Sequence, residues 1–159
     1  MSYELRDHTA DVAVEATADT LSALFAAVAD GLTAAGAESV PAEGDRFAVS
    51  VAAESREALL FDYLDRLVYE RDVRLVLPVD HRCVVAEPGA EVDGAFDGED
   101  DALAETDASS DRDRWRVAAT ARGVPLDAVS AREVKAVTYS EMRLERRDDG
   151  WYAYVVFDV

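Results

Sequence analysis

Residues 133–159 read EVKAVTYSEMRLERRDDGWYAYVVFDV and predict a β-hairpin at the C-terminal end of the chain. β-Branched and aromatic residues are frequent in Glu133–Arg146 and in Trp151–Asp158, which favours strands in both segments. The sequence Asp148-Asp149-Gly150 between them is typical of a hairpin turn. The second strand therefore ends on a carboxylate, Asp158.

The segments upstream of this hairpin predict two helices. Leu21 to Leu32 places apolar residues at helical spacing, with Asp19 as the expected N-cap and Gly36 as the expected stop. Leu59 to Val68 repeats the pattern after Ser55, which we expect to cap the second helix. The remaining apolar segments are short, or they alternate apolar and polar residues, and both patterns are typical of strands. They predict strands at Tyr3–Arg6, Val12–Ala16, Phe47–Val51, Val73–Val79, Arg82–Ala86 and Trp115–Arg122. Two helices and many strands predict an α+β fold, a two-layer sandwich in which a mixed β-sheet packs against two helices.

Length and composition predict a single domain over residues 1–159, with one interruption. The segment 87–113 is rich in Asp and Glu and contains only Phe96 and Leu103 as large apolar residues. Such a segment cannot bury enough apolar surface to offset its ordering entropy, so we expect a mobile acidic insertion there. A partner-binding or cation-collecting arm is the functional alternative.

The cysteine count and the hydropathy pattern indicate a cytoplasmic protein. Cys83 is the single cysteine, which excludes an internal disulfide and a site with several thiolate ligands. No apolar run approaches the roughly 20 residues that span a bilayer. The first residues lack a cationic segment followed by an apolar one, so we expect no export signal.

The charge of the chain is strongly negative. Asp and Glu number 34 against 16 Lys and Arg, which gives a formal net charge of −18, and Lys135 is the only lysine. This composition is typical of proteins that work in concentrated salt, where the Debye length falls to about 3 Å near 1 M. We interpret the source as a halophile, an archaeon. The same charge argues against direct nucleic-acid binding, which normally needs clustered Lys and Arg.

Two carboxylates near the chain ends are candidate metal ligands. Asp11 belongs to the polar segment Asp7-His8-Thr9-Ala10-Asp11 between two predicted strands, and Asp158 ends the last strand. If these strands are neighbours in one sheet, Asp11, Asp158 and the backbone oxygens of Val159 form a cluster of hard oxygen ligands that suits calcium or magnesium. The residues alone leave other interpretations open, since Asp11 could cap a turn and Asp158 could be a polar strand end.

The three segments around these residues resemble the archease family. Asp7–Val12, Glu133–Met142 and Val155–Val159 occur in the order expected for its motifs, and the resemblance covers most of the chain outside the acidic insertion. The resemblance implies that Asp11 and Asp158 hold a divalent cation, calcium or alternatively magnesium. One departure is that residues 125–130 contain no histidine, where related sequences often carry one.

The resemblance also implies a function without catalysis by this chain. Archeases are protein cofactors of the RtcB-type tRNA-splicing ligase, and they promote its guanylylation by GTP and its multiple turnover. A chaperone-like modulator of tRNA methyltransferase specificity is a related alternative. A free-standing metal-dependent hydrolase using Asp11 and Asp158 is the alternative from a different class.

Overall fold

The computed structural model describes residues 2–7, 11–37, 39–90 and 113–159. In chain order the elements are β1 (Ser2–Asp7), β2 (Asp11–Ala18), α1 (Leu21–Gly36), β3 (Asp45–Ala53), α2 (Arg56–Arg74), β4 (Val76–Ala86), β5 (Trp115–Pro125), a short 3₁₀ helix (Leu126–Ala128), β6 (Ala136–Arg147) and β7 (Gly150–Asp158). Residues 91–112, the larger part of the predicted acidic insertion, lie outside the described residues.

The strands form two sheets. β1, β2, β7 and β6 lie in that order in a four-stranded sheet, and β3, β5 and β4 form a three-stranded sheet. The α+β class and the two helices are confirmed. The sequence predicts a mixed sheet. In the structure the strands divide between two sheets, and all strand pairings of the described residues are antiparallel. Each helix packs against strands of both sheets, so the helices join the sheets into one fold.

A shared hydrophobic core lies between the helices and the sheets. Its largest fully buried side chains include Phe25 on α1, Tyr63 on α2 and Phe157 on β7. The rings of Phe25 and Tyr63 stack with centroids 6.0 Å apart. Alternate residues of β2 and β7 face this core, as expected for strands with one buried face.

The helix starts show one confirmed prediction and one correction. Ser55 caps α2, since its hydroxyl accepts a hydrogen bond from the Ala58 backbone N–H at 3.1 Å. Asp19 does not cap α1. Thr20 occupies the N-cap position, and its hydroxyl accepts from the Ala23 backbone N–H at 3.1 Å. Both residue types are good N-caps, so the sequence pattern alone does not distinguish the two positions.

The end of α2 also differs from the prediction. The sequence predicts a strand over Val73–Val79, but α2 continues to Arg74 and β4 begins at Val76. Glu70 stabilises this last part of the helix, since its buried carboxylate accepts from Arg66 and Arg74 at 3.0 and 2.6 Å. Leu75 ends the helix in the left-handed conformation, with φ 57° and ψ 46°. The two strands expected over 73–86 are therefore one strand with an irregularity between Val79 and Arg82.

Candidate functional site

Asp11 and Asp158 lie side by side at one end of the four-stranded sheet. Asp11 begins β2, Asp158 ends β7, and the two residues are directly paired in the antiparallel ladder. Val12 and Phe157, their neighbours along the strands, are 1% and 0% exposed and face the core. By strand alternation, Asp11 and Asp158 project from the opposite face. Directly opposed side chains have Cβ atoms roughly 4.5–5.5 Å apart, so the two carboxylates share one small region.

The donor atoms of this pair fit a divalent cation. Asp11 Oδ1 is buried and has no hydrogen-bond partner among the described residues. A buried carboxylate oxygen that accepts no hydrogen bond destabilises the folded state, and a cation bound to it would remove that destabilisation. Val159 is half-buried and packs against the core, so its backbone oxygens are held next to Asp158. Carboxylate and backbone oxygens are the ligands that calcium and magnesium prefer.

The side chains described at this site are too few to enclose a metal. Within residues 2–7, 11–37, 39–90 and 113–159, no group of three or more His, Cys, Asp or Glu side chains is arranged to hold a metal ion. His8, three residues before Asp11 in the sequence, lies outside the described residues. Backbone oxygens of Val159 and solvent would therefore have to supply further ligands to a cation bound by Asp11 and Asp158.

The third motif lies against this site through its backbone. The Lys135 backbone N–H donates to the Asp158 carbonyl oxygen at 2.8 Å, and Ala136 pairs with Asp158 from the side opposite Asp11. The Thr138 hydroxyl donates to the Val156 carbonyl at 3.1 Å. The Lys135 side chain is exposed. The motif therefore holds the end of β7 in place through backbone contacts.

A tyrosine–glutamate pair on the same face was not singled out from the sequence. The Tyr152 hydroxyl donates to Glu15 Oε2 at 2.6 Å, and the Arg147 guanidinium lies 3.6 Å from the Tyr152 ring centroid. Burial, followed by the hydrogen bond to Glu15, raises the pKa of Tyr152 above its ordinary value. Glu15 lies four residues after Asp11 on β2, so both side chains project from the same face of the sheet. This alternation is the sequence signal that could have identified Glu15.

The second histidine, His81, has a structural role. It is 6% exposed, and its Nε2 lies 2.8 Å from the Thr33 hydroxyl, which donates to the Pro78 carbonyl. Burial lowers the pKa of His81 to about 4, so the ring is neutral at pH 7. Burial raises the pKa of the Cys83 thiol to about 12, which excludes a reactive thiolate.

The fold and the site define a class of protein: a small α+β chain with a pair of carboxylates at the end of two adjacent strands. The sequence profile of the archease protein family (MTH1598/TM1083) matches residues 3–159. The chain belongs to the archease family.

Curated relatives and solved structures agree with this assignment. The chain is 28% identical to protein archease of Pyrococcus furiosus, with 99% of this chain and 98% of the relative aligned. It is 31% identical to protein archease of Methanosarcina mazei, with 99% and 95% aligned. The solution structure of Methanobacterium thermoautotrophicum protein 1598 matches with a TM-score of 0.69 at 23% identity, covering 99% of this chain and 98% of that one.

A second solved structure carries a functional description. It is the crystal structure of an archease from Thermotoga maritima, described as a possible chaperone. It matches with a TM-score of 0.58 at 18% identity, covering 97% of this chain and 94% of that one. At such identities the match shows the fold, and the names of the relatives refer to no enzymatic reaction. No helix among the described residues has both the length and the apolar composition to cross a membrane.

Proposed function

We propose that this protein activates an RtcB-type tRNA-splicing ligase by promoting its GTP-dependent guanylylation and its multiple turnover. Membership of the archease family supports the partner, and the direct pairing of Asp11 with Asp158 is the structural observation that carries the proposal. The chemistry belongs to the ligase, and this protein acts in the cytoplasm as its cofactor.

In this proposal Asp11, Asp158 and the backbone oxygens of Val159 hold a divalent cation, calcium or alternatively magnesium. The bound ion supplies a positive charge that relieves the repulsion between the two carboxylates and can bridge to an acidic group of the ligase. The chain's own contribution is to position the ligands. The Lys135 backbone holds Asp158 from one side and the β2 ladder holds it from the other, so both carboxylates are in place before the ligase binds.

Two alternatives make different predictions. The description of the Thermotoga maritima relative as a possible chaperone favours a modulator of tRNA methyltransferase specificity as the second candidate. A free-standing metal-dependent hydrolase would act without any partner. Purified protein should then hydrolyse phosphoester or nucleotide substrates in the presence of a divalent metal, whereas a cofactor should show no turnover.

The decisive experiment is multiple-turnover ligation of broken RNA by the cognate ligase, with and without this protein, at high salt. We expect strong stimulation by the wild-type protein and little by Asp11→Ala or Asp158→Ala, with the activity of the ligase alone unchanged. Asn at either position should be intermediate, because it keeps an oxygen ligand but loses the charge. Full stimulation by the double Ala variant would leave the carboxylate pair without a role.

A further inference from the structure

The outer face of the three-stranded sheet carries arginines at several of its alternating positions. Val49, Val117 and Ala119 are buried against the core, so by strand alternation the positions between them form the opposite face. Apart from Ala86, the residues of this opposite face are exposed or half-exposed. They are Arg46, Ala48, Ser50 and Ala52 on β3, Arg116, Ala118, Thr120 and Arg122 on β5, and Arg82, Val84 and Ala86 on β4.

The charge of this face differs from that of the whole chain. The sequence has 34 acidic and 16 basic residues, whereas the alternating positions of the face hold arginine as their only charged residue type. The acidic residues Glu43, Glu54 and Glu87 lie before β3, after β3 and after β4. Asp45 begins β3, but it alternates to the side opposite Arg46. The face is therefore a basic area on a strongly acidic protein.

Three of these arginines surround one carboxylate, that of Asp80 in the irregular part of β4. The Arg46 guanidinium donates to Asp80 Oδ2 at 2.8 Å and to the Thr120 hydroxyl at 3.2 Å. Arg82 Nη2 lies 3.5 Å from the same Asp80 oxygen. The hydrogen bond from Arg46, together with the positive charges of Arg46, Arg82 and Arg122, lowers the pKa of the Asp80 carboxyl group. One negative charge is thus shared by three guanidinium groups, which leaves an excess of positive charge.

The other contacts of the arginines orient them without cancelling their charge. Arg122 donates to the backbone carbonyl oxygens of Pro41 and Glu43, and Arg116 donates to the carbonyl oxygen of Ala90. A carbonyl oxygen fixes the direction of a guanidinium but carries no full charge. The Arg82 side chain is 70% exposed, so its guanidinium is accessible to a ligand.

The residues between the arginines favour a nucleic acid over a protein as the occupant. Stable protein interfaces have an apolar centre with aromatic anchors, and the only large apolar residue at these positions is Val84, which is 40% exposed. Protein–DNA interfaces are polar and positively charged, and guanidinium groups bind phosphate through paired hydrogen bonds. The hydroxyls of Ser50 and Thr120 are further donors of the type that contacts phosphate. None of these positions holds an aromatic residue on which a base could stack, so the expected contact is with the backbone.

We infer that this surface, termed the arginine face, contacts the phosphate backbone of the RNA that the ligase joins. The arginine face comprises Arg46, Ser50, Arg82, Thr120 and Arg122. The inference rests on the proposed function for the ligase and its RNA. The net charge of −18 opposes RNA binding by this protein alone, so the contact forms where the ligase holds the RNA close and raises its effective concentration. The sum of the charges predicts no contact with nucleic acid, whereas their arrangement in the fold provides one face that can make it.

The first test removes one guanidinium. Arg82→Gln should keep the fold because the side chain is mostly exposed, and Arg147→Gln is the matched control, since Arg147 also lies 3.5 Å from one carboxylate but on the other sheet. Ligation of broken RNA by the cognate ligase with this protein is measured against RNA concentration at several salt concentrations, and guanylylation of the ligase is measured without RNA. We expect Arg82→Gln to raise the KM for RNA about threefold and to reduce the slope of log KM against log salt by about 1. Guanylylation should be unchanged, and the control should behave as wild type in both assays.

The second test should change the KM in the opposite direction. Asp80→Asn removes the carboxylate that the arginines share, and asparagine tolerates the backbone at this position, where φ is 52°. We expect the KM for RNA to fall about twofold, because the positive charge of the face is then uncompensated. Asp148→Asn is the matched control, since Asp148 has φ 49° and is exposed in the β6–β7 turn. A purely structural role of the arginines predicts no decrease in KM. Melting temperatures verify that each variant is folded.

The outcomes distinguish this inference from the proposed function. A KM for RNA that is the same in Arg82→Gln, Asp80→Asn and their controls would overturn the arginine face while leaving activation of the ligase in place. A change in guanylylation without RNA would also overturn it, because the face would then bind the ligase and not its RNA. Failure of the wild-type protein to stimulate the ligase would reject the proposed function and, with it, this inference.

Discussion

At the scale of single residues, the structure assigns different roles to carboxylates that look alike in the sequence. Asp11 and Asp158 share a region because of strand register, and Asp11 Oδ1 has no hydrogen-bond partner among the described residues. Asp80 is paired instead, because the Arg46 guanidinium binds it at 2.8 Å and lowers the pKa of its carboxyl group. Asp11 therefore has a carboxylate oxygen that a cation could bind, whereas the Asp80 carboxylate is already paired with an arginine.

The first prediction concerns cation binding by that pair. An ion that binds the native state alone stabilises it by about 2.7 kcal/mol at 100 times its Kd. We therefore expect calcium chloride to raise the melting temperature of the wild-type protein at constant ionic strength, and Asp11→Ala or Asp158→Ala to abolish most of that increase. Asp149→Ala, in the exposed β6–β7 turn, is the control and should keep the full increase. An undiminished increase in both site variants would contradict the assignment of the ligands.

The second prediction concerns His81 and pH. Because its pKa is about 4 in the folded state and about 6.5 when unfolded, the unfolded chain binds the proton more tightly between these values. The stability contributed by neutral His81 is complete above pH 6.5 and is lost as pH falls towards 4, by up to roughly 3 kcal/mol. Urea unfolding of the wild type and of His81→Gln at pH 7 and pH 4.5 measures this, and the variant should show the smaller decrease. Equal decreases in unfolding free energy for the two proteins would show that groups other than His81 dominate the pH dependence of stability.

At the scale of secondary-structure elements, the periodic patterns predicted α1, β2 and β7, but not every boundary. The sequence predicts a strand over Val73–Val79 and therefore ends α2 too early. The helix continues because Glu70 binds Arg66 and Arg74 one turn away on either side. These ion pairs and the αL conformation of Leu75 are not visible in an apolar pattern.

The third prediction tests how closely α1 packs on β2. A Cβ added at Gly31 would lie 2.5 Å from Val14 Cγ1, and Val14 is fully buried and stiff because it is β-branched. Gly31→Ala should therefore destabilise the protein by roughly 1–3 kcal/mol, although alanine is the better helix former by about 1 kcal/mol. Denaturant unfolding measures the change. The double variant Gly31→Ala/Val14→Ala should lose less unfolding free energy than the sum of the losses in the two single variants. A Gly31→Ala protein more stable than the wild type would show that the helix can move away from β2.

At the scale of the whole molecule, the dominant property is the net charge of −18. Self-repulsion among so many carboxylates destabilises the compact state at low salt, and screening reduces it as the Debye length falls from about 10 Å at 0.1 M to about 3 Å at 1 M. The surface composition supports our proposal that the protein works in concentrated salt.

The fourth prediction follows from this charge. The free energy of unfolding should rise as sodium chloride increases from about 0.1 M to above 1 M, where screening of surface charges is nearly complete. Urea titrations in EDTA measure this without interference from divalent ions at Asp11 and Asp158. Sucrose at the same osmolarity is the control and should have a smaller effect. A stability that does not change with salt would show that the carboxylates are already compensated in the fold.

The sequence by itself determined the α+β class, the two helices, the Ser55 cap and the alternation that buries one face of β2 and β7. These features depend on residues a few positions apart, so local periodicity and capping chemistry predict them. Only the tertiary structure decided the division into two sheets, the pairing of Asp11 with Asp158, the position of the Lys135 backbone beside them and the arginines on the outer face of the three-stranded sheet. These depend on hydrogen-bond register and packing between segments that are far apart in the sequence, and a one-residue shift in register would have placed the same aspartate on the other face.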